Sequence, residues 1–136
     1  MSQIPNQSTA VTTQPKWLTI TGWVLTLLIC ALLTFSAVTK FIPPEGEMKA
    51  QIEKMMPLSL LPIIGMIEIG CMVVYLFPRT AVLGAALLNG YLGGAVMTHL
   101  RLEDGNFPGA IVIGVVMWLG IYLREPRLRA IMPWRT

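Results

Sequence analysis

A chain of 136 residues that is 54% hydrophobic and only 12% charged carries about half the ionic groups of a soluble domain, which has roughly 25%. Its mean hydropathy is +0.66, and a protein this small has too little interior to hide so much apolar surface from water. Lipid is the expected solvent, and the length suits one compact bundle with no room for an extramembrane domain. The net charge of +3 does not imply nucleic acid as a partner, because the cationic residues stand at the ends of apolar runs, where they set membrane orientation.

Residues 1–15 are rich in Gln, Ser and Thr and carry no charged side chain, so a disordered polar tail is expected. From Trp17 to Thr39 the chain is uncharged, 23 residues long. At about 1.5 Å per residue such a run crosses a hydrocarbon core of about 30 Å. It is too long for a secretory signal and shows no cleavage site. Pro43-Pro44 ends it. Over Glu47–Met56, residues Met48, Ile52, Met55 and Met56 share one face while Lys49, Glu53 and Lys54 lie mostly on the other. The pattern predicts a short amphipathic helix at the membrane surface, with a solvated loop as the alternative.

Three more spans follow, over about 58–77, 81–100 and 107–123. Pro78-Arg79-Thr80 leaves room only for an antiparallel helix hairpin, and Arg101 to Asn106 is a polar loop. The expected fold is therefore all-α, an integral membrane four-helix bundle over 16–124, followed by a basic tail over 125–136 with Trp134 at the interface. Four spans place both chain ends on one side. That side holds Lys16, Arg79, Arg124, Arg127, Arg129 and Arg135 against the single acid Glu125. The other side holds Lys40, Lys49, Lys54 and Arg101 against Glu45, Glu47, Glu53, Glu103 and Asp104. The excess predicts cytoplasmic ends, with the amphipathic helix in the first periplasmic loop.

Glu68 is the sharpest candidate, since a carboxylate in mid-span is expensive and is expected to face the bundle. It stands nine residues before Phe77, and Asn89 stands eight after Ala81 across the hairpin. Equal depth predicts a Glu68–Asn89 contact. A proton or ligand site and a packing hydrogen bond are both open readings of it. Thr98, His99 and Arg101 end the third span at the level expected for Lys40, with Ser36 one turn before Lys40 on the same face. Cationic groups at one mouth would attract an anion or polarise a carbonyl. The alternative is ordinary snorkelling of Lys40 and Arg101 to phosphates. The candidate ligand-binding set is Ser36, Lys40, Glu68, Asn89, His99 and Arg101, with Glu68 and His99 the catalytic candidates. Ala86, Gly90, Gly94 and Thr98 recur every four residues, a stripe for close helix packing within the bundle or between subunits, and Gly93 leaves room for a slim ligand. Cys30 and Cys71 lie inside apolar runs without CxxC or Cys/His spacing, so they read as core residues, and no metal site is signalled.

The segments TFSAVTKF, GMIEIGCMVVYLFPRTAVLGA, GYLGGAVMTHLR and YLREPRLRAIMP resemble the DoxX-like family, over about residues 17 to 133. The resemblance implies a small bacterial inner-membrane protein of four helices. Relatives include membrane subunits linked to thiosulfate oxidation with quinone as acceptor, and others associated with oxidative-stress systems. The polar positions that recur in the family correspond here to Ser36, Lys40, Glu68, Arg79, His99 and Arg101. No activity transfers with the family name.

Three functions follow as expectations. The first is a membrane redox subunit holding quinone or a small sulfur or carbonyl compound between Lys40, Glu68 and His99. Its electrons would come from a partner, because the sequence has no flavin, nicotinamide or metal-ligand motif. The second is a small proton-linked carrier or lipid-binding protein, acting as a homo-oligomer. The third is a structural anchor for a partner enzyme.

Overall fold

The computed structural model describes residues 15–132. The expected polar tail lies outside the described residues except for Pro15, as do Trp134 and Arg135. Helix α1 runs Lys16–Thr39, α2 Gly46–Glu53, α3 Leu61–Leu76, α4 Ala81–Leu102, α5 Phe107–Arg124 and α6 Pro126–Ile131. A 3-10 turn, Leu58–Leu60, leads into α3. Four of these helices are long and apolar enough to cross a membrane, α3 when counted with its 3-10 turn, and only 22–33% of each apolar window is buried inside the protein. The remainder carries large side chains such as Trp17, Phe35 and Val115 at 64%, 73% and 63% exposure. So large a continuous apolar surface is compatible with lipid and not with water. The chain is a multi-pass membrane protein with a four-helix bundle as its core.

Helix α1 packs on α5 and α3, and α4 packs on α3 and α5, which closes a four-membered ring with α1–α4 and α3–α5 on the diagonals. The inward faces follow helical spacing. In α3 the buried residues are Gly65, Glu68, Met72 and Tyr75, steps of three, four and three that keep one stripe inward. Leu33, Leu88, Met117 and Ile121 fill the middle, each at 2% exposure or less. The turn from α3 to α4 is held by Thr80, whose hydroxyl donates to the Val74 carbonyl at 2.8 Å. There the two helices touch backbone to backbone, and a Cβ at Gly84 would collide with the main chain of Tyr75. Gly22 plays the same part between α1 and α5: its Cβ would lie 2.7 Å from the Gly120 carbonyl and from the Arg124 amide.

The structure adds detail to two expectations. The amphipathic segment expected over 47–56 is helical only to Glu53. Lys54 caps it, and the amides of Met55 and Met56 both turn back to the Ile52 carbonyl at 2.9 Å. Pro57 keeps Met56 out of helical geometry, so the helix could not have run to the end of the expected segment. Helix α2 buries no residue fully: Met48 is 63% exposed, while Ile52, and Met55 and Met56 just after the helix, are half-buried. The basic segment after Arg124, expected as a tail, forms α6, capped where the Glu125 carboxylate accepts the Arg127 amide and seated by Leu128 at 4% exposure.

Candidate functional site

Lys40 is the residue that caps α1, at the end of the bundle opposite the chain termini. Helical side chains lean toward the N-terminus of their own helix. From a C-cap that direction leads into the span instead of out to the phosphates. The Lys40 ammonium accordingly turns back one turn of helix. It donates to the Ser36 hydroxyl at 2.7 Å and the Ser36 carbonyl at 3.1 Å. Its third hydrogen bond reaches Oε2 of Glu68 at 3.0 Å. An ammonium has three donors, so all are engaged, and the snorkelling reading of Lys40 is overturned.

Glu68 sits in the middle of α3 on its buried stripe. Its side chain is 1% exposed while that of Lys40 is 20% exposed, so the acid is sealed and the base reaches toward the loop end. Tyr91 of α4 closes the cluster. Its hydroxyl interacts with Glu68 and Ser36, and its ring centroid lies 5.9 Å from the ammonium. Oε1 of Glu68 is buried without a hydrogen-bond partner. The arrangement is an acid–base pair joining α1 to α3 inside a membrane bundle, with one carboxylate oxygen uncommitted. A pair of this kind adds little to stability by itself, yet removing one partner leaves a buried charge, at a cost of about 3–5 kcal/mol.

The other sequence candidates lie elsewhere. Asn89 does not meet Glu68. It lies on the α4–α5 side, its Oδ1 3.8 Å from the position of a Cβ on Gly114, and lines a groove of about 380 Å³ with Gly93, Ala110 and Trp118. Depth counting had the level right but ignored rotation: Tyr91, two residues on, points about 200° away at 100° per residue and takes the place facing Glu68. His99 bonds through Nδ1 to Asp104 Oδ2 at 2.7 Å, and Asp104 Oδ1 accepts the Asn106 amide at 2.9 Å. The two acceptors tie down the loop after α4, where Glu103 takes a left-handed φ of 53°. The Asn106 amide and the His99 ring together hold the Asp104 carboxyl below its usual range. Arg101 is exposed. The structure thus unites Ser36, Lys40 and Glu68 and leaves Asn89, His99 and Arg101 outside their cluster. Among the described residues no three His, Cys, Asp or Glu side chains gather as metal ligands.

A second polar centre, unread in the sequence, lies at the termini end. Arg124 is 8% exposed. Its Nη2 donates to the Tyr75 carbonyl at 2.7 Å, and its guanidinium stacks 4.5 Å from the Trp23 centroid and 4.9 Å from that of Tyr75. The Tyr75 hydroxyl donates to the Met117 carbonyl at 2.9 Å and lies 3.3 Å from the Thr26 hydroxyl. In the sequence Arg124 reads as the boundary of an apolar run. The available signal was Tyr75, seven residues after Glu68 and so on the same inward face, where a phenol requires a polar partner. Tyr91 carried the same signal.

Residues 24–121 match the model of the DoxX-like family, and the chain belongs to that family. No curated protein and no solved structure matches it.

Proposed function

We propose that this DoxX-like protein is a subunit of the bacterial inner membrane, with both chain ends cytoplasmic, that exchanges a proton with a lipid-soluble hydroxyl compound at the Lys40–Glu68 pair. A quinol is the compound class that suits the site best. The observation that carries the reading is the state of Glu68: buried to 1% exposure, bonded to Lys40 through Oε2, with Oε1 buried and without a hydrogen-bond partner. An unpaired carboxylate oxygen at this depth is an acceptor for a hydroxyl that arrives through lipid once α1 and α3 part. Burial strengthens any bond it forms, because little water competes.

The chain's own residues divide the work. Glu68 Oε1 accepts the donor's hydrogen bond and then its proton. Lys40, fixed by Ser36, keeps Oε2 occupied, so the proton has one oxygen to go to. Once Glu68 is neutral, its hold on the Lys40 ammonium weakens; the partly exposed ammonium gives one of its own protons to the loop end, and the amine so formed takes the proton from Glu68, restoring the ion pair. Tyr91 supplies a hydroxyl beside both groups. Electrons would leave to a separate partner, as the sequence carries no flavin, nicotinamide or metal-ligand motif. The resemblance to redox-linked relatives favours this reading over transport. One observation favours the second reading, a proton-linked carrier: with Glu68 sealed, a ligand enters only when α1 and α3 part, and proton transfer to the pair would release them.

Mass spectrometry of the gently purified protein tests the proposal. A stoichiometric quinone or a co-purifying redox protein is the expected result, reduced in the charge-free double variant Lys40→Met with Glu68→Gln when compared at equal folded abundance. A bundle carrying phospholipid alone would contradict it. Reporter fusions at the C-terminus are expected to place it in the cytoplasm.

A further inference from the structure

Glycines in this protein fall into two groups. Gly22 and Gly84 are required by close backbone contacts inside the bundle, whereas a Cβ at Gly90, Gly93 or Gly94 would meet nothing within 4 Å. Three glycines in five residues of α4 weaken the helix, since glycine is a poor helix former, and the single chain gains no packing from them. They lie on one outward face. Ala86, Asn89, Gly90, Gly93, Gly94 and Met97 are all exposed and spaced by three, four, seven, eight and eleven residues from Ala86, the repeat of one helix stripe.

Asn89 says what covers this face. Its side-chain amide has no hydrogen-bond partner among the described residues, and its position on α4 is within about 4 Å of the middle of the span. An unsatisfied amide in hydrocarbon is costly. Phospholipid cannot satisfy it, because ester and phosphate oxygens stay at the boundaries, about 15 Å from the centre of the core. The partner must bring hydrogen-bonding groups to mid-membrane. An amide is donor and acceptor at once. Two copies of the chain in one membrane, related by a two-fold axis along its normal, would bring α4 beside α4 in parallel with both Asn89 residues at the same depth.

We propose that the Ala86–Met97 face of α4 binds a second copy of this chain, with the two Asn89 amides hydrogen-bonded to each other and Gly90, Gly93 and Gly94 letting the helices approach closely. The adjoining groove between α4 and α5 would receive side chains of that second copy. This inference is independent of the proton chemistry proposed for Lys40 and Glu68.

Disulfide cross-linking of the full chain in native membranes, with Cys30 and Cys71 replaced by Ala, tests it. Met97→Cys is expected to form a dimer, while Leu28→Cys on α1, also exposed, is not. Asn89→Leu should lower the dimer fraction about three- to tenfold, and Asn89→Gln should largely retain it. Gly94→Ile should abolish it by bulk alone. The proposal is overturned if Met97→Cys gives no dimer at normal abundance, or is captured by another protein. It also falls if dimerisation survives both Asn89→Leu and Gly94→Ile, or if the purified chain is a monomer with a small molecule at Asn89. Should Asn89→Leu fail to accumulate, Gly94→Ile and the Met97→Cys and Leu28→Cys pair still decide.

Discussion

Among the described residues two cations, Lys40 and Arg124, turn into the bundle, and their surroundings are built on opposite plans. At the loop end, Lys40 faces an acid, and each of its three donors has an acceptor. At the termini end, Arg124 pairs with no acid among the described residues. Its Nη2 is held instead by a carbonyl near the C-terminal end of α3 and its guanidinium lies over two aromatic rings, while Nη1 is buried without a hydrogen-bond partner. A helix C-terminus is the negative end of its dipole, and aromatic faces attract a guanidinium, so Arg124 has a stabilising environment that no proton can switch off. The Lys40–Glu68 pair is the reverse, since its attraction depends on a charge that one proton removes. The first centre joins α1 to α3 through opposite charges; the second joins α5 to α3 and α1 through a carbonyl and two rings.

Breaking the pair should have the largest effect. Lys40→Met leaves Glu68 buried alone and is expected to destabilise the folded bundle by about 3–5 kcal/mol, read as detergent-induced unfolding. The charge-free double variant Lys40→Met with Glu68→Gln should regain most of that loss. If the double variant is as unstable as the single, the two residues are not coupled. Arg124→Leu comes next, at about 2–3 kcal/mol for a lost charged hydrogen bond and ring contacts. Arg124→Lys should fail to rescue it, because an ammonium lacks the planar fork that bonds and stacks together. Tyr75→Phe, which removes the hydroxyl shared by Met117 and Thr26, is expected to cost about 1–2 kcal/mol. The smallest effect is at Asp104. Its carboxyl is held below the usual range by the Asn106 amide and His99. The stabilisation is therefore present above the ordinary carboxylate pKa and fades as pH falls through the lowered one. Amide exchange at 103–106 should quicken at acid pH, beyond its intrinsic pH dependence, and Asp104→Asn should remove that excess.

How far the sequence reached follows from what each kind of signal encodes. The spans were legible because an uncharged run long enough to cross lipid has few other uses, and their ends fall within a few residues of the helices observed. Glu68 was legible because its cost is large in any fold that crosses a membrane. Its partner was not. Depth can be counted from a tight hairpin, but rotation about α4 depends on packing, and that rotation exchanged Asn89 for Tyr91. For Lys40 the sequence left two readings open, a place in the ligand-binding set and snorkelling to phosphates. The lean of helical side chains toward the N-terminus sends its ammonium inward. Arg124 looked like any basic residue closing a span, because nothing local in the sequence reveals that Tyr75 and Trp23 converge on it. The glycine stripe was visible as a pattern, and only the structure shows that Gly90, Gly93 and Gly94 face outward.

The central claim is that the Lys40–Glu68 pair serves chemistry and is not retained for packing. The most direct test is native mass spectrometry of the Lys40→Met, Glu68→Gln double variant beside the wild-type protein at equal folded abundance. The account predicts that the double variant is folded but has lost the bound lipid-soluble compound. A double variant that keeps the compound at wild-type occupancy would contradict it, leaving the pair as a second structural joint like Arg124.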